Sequence, residues 1–366
     1  MEHTGLKMSK REFDDYKIKE RQLAVSPFIY SAPSISSISI RFIVLLSLQV
    51  LMLALTGSYK SLIIVLCSLA GSLAAAALSY FIRRYERYQI MSIAIQGLII
   101  GLLIPEGYPP VPVFFISFLT LFFSRMLVFK GVSTWLNMSA FAGIVAWIIG
   151  RSYFPPFLVN SEIAALGNSS VYLLQNGIFP IHHFDNAVTS FLNSTVFSVF
   201  RVTIPEGFVS LLWDSRSAIP AFRFTLLTIV SSIIVFSDNT FSGIIPSVFL
   251  LTYTLLVRLF APMFFGGLIN QGDVILALSS SGILFCTVFM IQWFGTVPVT
   301  VSGKVISALC MGVCAFLIIG CGTSPIGMMY TILINNVITL FIRSAEEQKN
   351  RSDISKVVSK ASGAGI

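Results

Sequence analysis

Hydrophobic residues along the chain gather into ten runs, approximately 40–57, 61–82, 89–104, 111–128, 134–150, 222–236, 243–260, 273–294, 304–321 and 325–342. A helix needs about 20 apolar residues to cross a hydrocarbon core of about 30 Å, and the runs lie near that length. The pattern predicts an all-α polytopic membrane protein with ten transmembrane helices. The longest polar interval, 151–221, separates five runs from five. An odd number of spans per half means that an internal repeat must be inverted in the membrane, an arrangement typical of transport folds with a site at the midplane. Prolines between spans in GLLIPEGYPPVP and FGTVPVTVSGK support two inverted five-helix halves. Each is followed by a span, a glycine-bearing break (Gly131; Gly320 and Gly322) and a span with asparagine (Asn137; Asn335 and Asn336). The chain thus divides into an N-terminal segment 1–39, a first half 40–150, a connecting loop 151–221, a second half 222–342 and a tail 343–366.

Composition strengthens this reading. Hydrophobic residues make up 55% of the 366 positions and charged ones only 11%, far from soluble-domain values. The net charge of +8 is no nucleic-acid signature, because the basic residues flank apolar runs instead of forming an aromatic-interleaved groove. They set topology. With the N-terminus inside, Lys7, Lys10, Arg11, the run RRYER (83–87), Arg125, Lys130, Lys304 and the tail residues Arg343 to Lys360 are among eighteen of the 24 basic residues on the cytoplasmic side. Lys60, Arg151, Arg201, Arg216, Arg223 and Arg258 remain outside. Both termini are expected in the cytoplasm and 151–221 on the other face. No signal-peptide pattern precedes the first run, so an uncleaved N-terminus is expected. The cysteines Cys67, Cys286, Cys310, Cys314 and Cys321 fall in or beside apolar runs, which argues against a disulfide framework. Cys310 and Cys314 share a helix face but have no second pair at ligand spacing, and read as packing residues.

The succession QGLIIGLLIPEGYPP, SRMLVFKGVSTWLNMSAFAGIV, GIIPSVFLL, VPVTVSGKVISAL and SPIGMMYTILINN resembles the RnfD component of the Rnf ion-translocating oxidoreductase and the homologous NqrB component of the sodium-pumping NADH:quinone reductase. The likeness runs from about Ser26 to Ile342, and SPFI at 26–29 is similar to the family's Ser-Pro-His-Ile start. The resemblance implies an electron-transport subunit of a bacterial inner membrane. There a flavin, FMN or riboflavin, carries electrons, and their flow is coupled to Na+ or H+ translocation. The implied partners are the other subunits of an Rnf/Nqr-type complex, the ion and the lipid bilayer; no nucleic acid is implied.

Members of that family carry FMN on the threonine of a Ser-Gly-Ala-Thr-like motif in the loop after the fifth span. Here HHFDNAVTSFLNST, His182 to Thr195, occupies that place. Aligning Asp185 with the family's aspartate puts Phe191 or Leu192 at the acceptor position, and neither can form a phosphoester. Thr189 and Thr195 are the nearest threonines on either side. Thr195 also closes an Asn-Ser-Thr sequon, set aside because nothing else in the sequence suggests eukaryotic targeting. The family's Asn-Pro-Ala appears as Asn137-Met138-Ser139, its double glycine as Lys130-Gly131, and its Asp-Pro-Val-Thr as Val297-Pro298-Val299-Thr300, which removes a carboxylate beside the membrane.

Candidate flavin contacts are therefore Thr195 and Thr189 for covalent attachment, and Asn137 and Asn336 for a noncovalent ring among the helices. The bland reading of the asparagines is interhelical hydrogen bonding. Gly131, Gly320, Gly322 and Gly327 read as close-approach or break positions, Glu106 and Asp273 as solvated loop groups, and His182 and His183 as lacking a third metal ligand. The degenerate acceptor motif leaves open a urea-channel-like passive channel or solute transporter, or a divergent scaffold subunit lacking its own covalent flavin. No nucleotide-binding fingerprint is present, so the isolated chain is expected to perform no turnover.

Overall fold

The computed structural model describes residues 34–83, 87–128, 135–155, 162, 165, 169–177, 179–237, 241–292, 296–320 and 324–363. The leader at 26–29, Lys130, Gly131, Cys321 and Gly322 lie outside them. Except for Ser34, the described residues belong to one compact unit, Ile35–Ile366.

Among the described residues every regular element is helical. The first half contributes α1 (Ile35–Leu55), α2 (Tyr59–Arg83), α3 (Arg87–Leu103), α4 (Pro110–Val128) and α5 (Met138–Ile149). The connection holds short helices α6 (Ser169–Gln175), α7 (Asp185–Thr195), α8 (Phe197–Phe200) and α9 (Phe208–Trp213). The second half contributes α10 (Thr225–Ser237), α11 (Ile244–Phe260), α12 (Val274–Ser280), α13 (Ile283–Phe289), α14 (Val301–Ile319) and α15 (Gly327–Gly363). Four helices, α1, α2, α14 and α15, are long and apolar enough to cross a membrane, and α3, α4, α5, α10 and α11 are shorter apolar helices.

Nine of the ten predicted spans thus correspond to one apolar helix each, and the run 273–294 does not. It breaks into α12 and α13 at Ser281-Gly282. Gly282 is left-handed (φ 67°), and the Phe222 ring sits where a side chain would project. The hydroxyls of Ser279, Ser280 and Ser281 each donate to the carbonyl four residues back, closing off the last turn of α12. The Ser-Ser-Ser-Gly signal is present in the sequence but is hidden inside an otherwise continuous apolar run.

Packing within the two halves follows the same pairing. The second helix packs on the fourth, α2 on α4 and α11 on α14; the first packs on the third, α1 on α3 and α10 on α13; and the fourth on the fifth, α4 on α5 and α14 on α15. Close approach has a visible cause on α3, where Gly97 and Gly101 face α2. A side chain at either would collide with Ser72 or with the Val65 backbone, the small-xxx-small device of membrane helices. Ser68 then donates to Gly97 O (2.8 Å) and lies 2.7 Å from Ser117 Oγ, joining α2 to α3 and α4.

Loop contacts separate into two ends. At one end Arg223 bonds Ser58 and ion-pairs with Asp214, Glu106 N donates to Ala218 O (2.8 Å), and Ser170 N donates to Asp273 Oδ2 (2.7 Å). At the other, Gln292 donates to Ser242 O (2.7 Å) and Arg343 to Val297 O. The turn after α1, the turn after α3, the long connection and the turn after α11 therefore share one end.

Candidate functional site

The four candidate residues fall in two places. Asn137 and Asn336 are brought together inside the bundle, and Thr189 and Thr195 lie on α7.

Asn137 precedes α5 in extended backbone (φ −78°, ψ 103°), and its Oδ1 accepts from Ser139 N (3.1 Å) and Ala140 N (3.2 Å). An asparagine in this place satisfies orphan amides of the first turn. Its Nδ2 reaches across to Met290 O (3.0 Å), at the end of α13. Asn336, with its amide oriented to suit its neighbours, accepts from Asn137 N (2.7 Å) and donates to Ile332 O (3.2 Å). Both amides are buried. Along the same seam Gly143 abuts the Met329 side chain and the Trp147 and Tyr330 rings lie 6.4 Å apart. Residue number rises along α5 as it falls along α15, so the two helices cross antiparallel.

The first helices of the two halves show the same relation. Gln49 Nε2 donates to Thr228 Oγ1 (3.1 Å), and Phe42 meets Phe241 at 5.5 Å. Hence α1 and α10 are antiparallel as well. Asn335, beside Asn336, accepts from Ser307 Oγ (2.9 Å) on α14. Gly327, at the start of α15, faces Ile319 and Ser324, and Gly320 ends α14 in left-handed backbone (φ 61°).

The stretch expected as a polar loop is instead mostly helix. Asp185, 0% exposed, is the acceptor on which the connection closes. Gly207 N donates to its Oδ1 (2.8 Å), Ser210 N and Ser210 Oγ donate to Oδ2, and Thr189 Oγ1 donates to Oδ1 (3.0 Å). Burial pushes the carboxyl up, and these four hydrogen bonds together outweigh it, holding Asp185 below the usual carboxylate range. Around this anchor Leu173, Leu174, Phe179, Phe208 and Leu211 form a small core separate from that of the bundle, closed by Leu276 of α12.

Thr189 is therefore buried and bonded, and could accept a phosphate only after leaving Asp185. Thr195 is exposed, its hydroxyl donating to Phe191 O within its own helix (2.6 Å). His182 stacks on Phe184 (5.4 Å), which meets Trp213 edge-on; His183 is exposed. Flavin fit follows from these contacts. Asn137 could bond a ring edge only by giving up Met290 O or its cap on α5, and Asn336 only by giving up Asn137 N or Ile332 O, and Thr195 alone of the two threonines presents a reachable hydroxyl. The four residues do not converge on one cradle.

Three groups with structural consequence are silent in the sequence. Asp214 and Arg223 form a buried bidentate pair (2.9 and 2.7 Å). Asp273, expected as a solvated loop group, caps α12 through Leu276 N (2.9 Å) and also accepts from Ser170 N. Glu346, on the part of α15 beyond the expected span, accepts from Val299 N (3.1 Å), Thr300 N (3.0 Å) and Thr300 Oγ1. A carboxylate thus returns to the turn that lacks the family's aspartate, from 46 residues downstream. Proximity of this kind is not encoded by local spacing.

The chain matches the NQR2, RnfD, RnfE family over residues 22–352. Curated proteins yield no match. The match covers nearly the whole chain, so the chain belongs to the NQR2, RnfD, RnfE family, and with its apolar helices it is a multi-pass membrane protein of the kind found in Rnf- and Nqr-type complexes.

Proposed function

We propose that this member of the family is the membrane subunit of a bacterial inner-membrane Rnf- or Nqr-type complex, in which electron transfer is coupled to movement of Na+ or H+. The observation that carries the reading is the pair of antiparallel crossings, α1 with α10 and α5 with α15, each held by polar side chains. Matching helices of two halves that meet antiparallel are what an inverted repeat produces, and in inverted-repeat transporters the ion path runs between the repeats. Ten crossings with both termini in the cytoplasm complete the proposal.

Within that reading Asn137 ties the broken backbone before α5 to α13 and α15, so the junction holds its shape while polar groups stay satisfied inside the membrane. Electrons arrive from partner subunits. A bound flavin supplies one- and two-electron steps, and the candidate residues make no cradle for it. Flavin retained by the chain is proposed to be noncovalent.

The test is a deletion of the chain in its host, followed by donor-driven Na+ and H+ uptake into membrane vesicles. Loss of uptake, restored by the reintroduced chain, is expected; unchanged uptake overturns the proposal. Flavin content before and after acid precipitation, with mass spectrometry of the peptide spanning 182–201, reads the cofactor separately. An FMN adduct on Thr195 overturns the noncovalent assignment. The absence of an acceptor at Phe191 and Leu192 favours a second reading, a passive channel or a cofactor-free scaffold. Rapid solute equilibration in vesicles holding the purified chain alone distinguishes the channel.

A further inference from the structure

The surface of α7 is arranged in three sectors, given a turn of 100° per residue. Asp185 and Thr189 face inward, Asn186, Ser190 and Ser194 face outward, and a third stripe carries Phe184, Val188 and Phe191, which are exposed. A helix in water buries its apolar stripe and exposes its polar one. Here the buried groups are a carboxylate and a hydroxyl, while Phe191 is 63% and Val199 76% exposed. Between residues 186 and 205 the single charged side chain is Arg201. It is exposed, in left-handed backbone (φ 53°) at the end of α8, between the exposed Val199 and Val202.

The chain that follows α8 meets the exposed apolar flank of the bundle. Asn193 exchanges two hydrogen bonds of 2.9 Å with the backbone of Ile204, fastening α7 to the stretch of chain that follows α8. Thr203, Ile204 and Pro205 wall one side of a cavity of about 290 Å³. Its opposite wall includes Ile229 of α10 and Ile275 of α12, both exposed on the outside of the apolar bundle. The lining is almost wholly apolar, and apolar cavities stay dry and accept apolar guests.

We propose that α7 and α8 lie in the boundary of the bilayer at this end of the bundle, and that a phospholipid is bound there. Its acyl chain enters the cavity between residues 203–205 and α10, and its phosphate meets Arg201. The three-sector pattern suits this position. Ser190 and Asn186 face water, Phe184, Val188 and Phe191 enter the acyl region, and Asp185 faces protein. An arginine flanked by valines lays its stem on the apolar surface and lifts its guanidinium to the headgroups. Lipid is preferred over a protein partner because the cavity opens beside Ile229 and Ile275, which are exposed on the outer flank of the apolar bundle.

The test uses the full chain in vesicles of phosphatidylethanolamine and phosphatidylglycerol, with the photoreactive benzoylphenylalanine placed at position 191, at 199, or at 190 as the water-facing control. Irradiation is expected to give lipid adducts by intact mass at 191 and 199 and at least tenfold less at 190. Replacing Ser279→Trp, which fills the cavity, should lower the phospholipid that copurifies with the chain, and Arg201→Gln should lower the phosphatidylglycerol share of the adducts about fivefold. Equal labelling at 190 and 191 overturns the proposal, as does adduct formation only with another polypeptide when the intact complex is irradiated. Neither readout depends on electron transfer, so the outcome is independent of the proposed function.

Discussion

The junction of α5 with α15 and the helix α7 treat polar side chains in opposite ways. At the junction two amides are buried and satisfied by backbone groups of neighbouring helices, so that apolar helices acquire a defined partner. In α7 a buried carboxylate gathers donors from one local segment, 207–210, and the apolar residues turn outward. In hydrocarbon, apolar side chains gain little by leaving lipid for protein, and polar contacts and close packing specify the fold. In the connection the same task falls to one carboxylate and a core of about six residues. The junction is a long-range structure, and the connection a local one.

The largest effect should come from removing the centre of the connection. Asp185→Ala leaves Gly207 N, Ser210 N and the hydroxyls of Ser210 and Thr189 facing a buried void, and unmet buried donors cost about 1 to 3 kcal/mol each. Allowing the hydroxyls to find other partners, a loss of about 4 kcal/mol in the local stability of 171–213 is expected. Limited proteolysis should cut the connection at least a hundredfold faster while α1 to α5 stay protected. Coupled loss of the bundle would erase the distinction between a local and a long-range structure.

Next comes Asn137→Ala. It removes a cap, typically worth about 1 kcal/mol, and an interhelical bond to Met290 O of about 0.6 kcal/mol. A total near 2 kcal/mol is expected in detergent unfolding, with proteolysis of the connection unchanged. Asn137→Ser, which keeps a cap oxygen and loses the donor that reaches Met290, should recover about half. No recovery would mean that the cap is unimportant and the crossing with α13 decides.

Much of the bundle is legible in the sequence because apolar runs have a length set by the bilayer, and nine of ten form single helices. The break at Ser281-Gly282 escapes since a run of small residues reads as apolar by average, and its cause, the Phe222 ring, is 60 residues away in the chain. The pairing of asparagines is legible only as two separate polar residues in apolar helices. That Asn137 N meets Asn336 is decided by the crossing of halves. For α7 the alternation is visible, yet by sequence Asp185 is only an alignment marker and Thr189 a reachable hydroxyl. The donors that bury them come from Gly207 and Ser210, beyond any local window.

A smaller effect, again confined to the connection, follows from pH. The folded-state carboxyl of Asp185 is held below its unfolded value, near 3.9, because its four hydrogen bonds outweigh its burial. Its contribution is therefore fully present above the unfolded value and is lost as pH falls through the folded value. Proteolysis of 171–213 by an acid-active protease should accelerate as pH falls below about 4. The Asp185→Asn chain should lack this added slope. If the slope persists without the carboxylate, another group controls the acid response of the connection.

The smallest effect is expected at the most exposed part of the comparison. Phe191 is 63% exposed on α7, so truncating it opens no core cavity, and Phe191→Ser should change unfolding of the detergent-solubilised chain by less than about 0.5 kcal/mol. A buried phenylalanine behaves otherwise. Phe249, fully buried in α11, leaves a cavity when replaced by alanine and should cost several times more than Phe191→Ser. The contrast matters because α7 places its large apolar residue where a soluble helix would place a charge. If Phe191→Ser instead destabilised the chain by several kcal/mol, the ring would have to be packed against protein, and the outward-facing apolar stripe would be an internal contact. A near-zero effect leaves that stripe free to meet the bilayer, and the inversion between the two regions stands as a difference in what surrounds them.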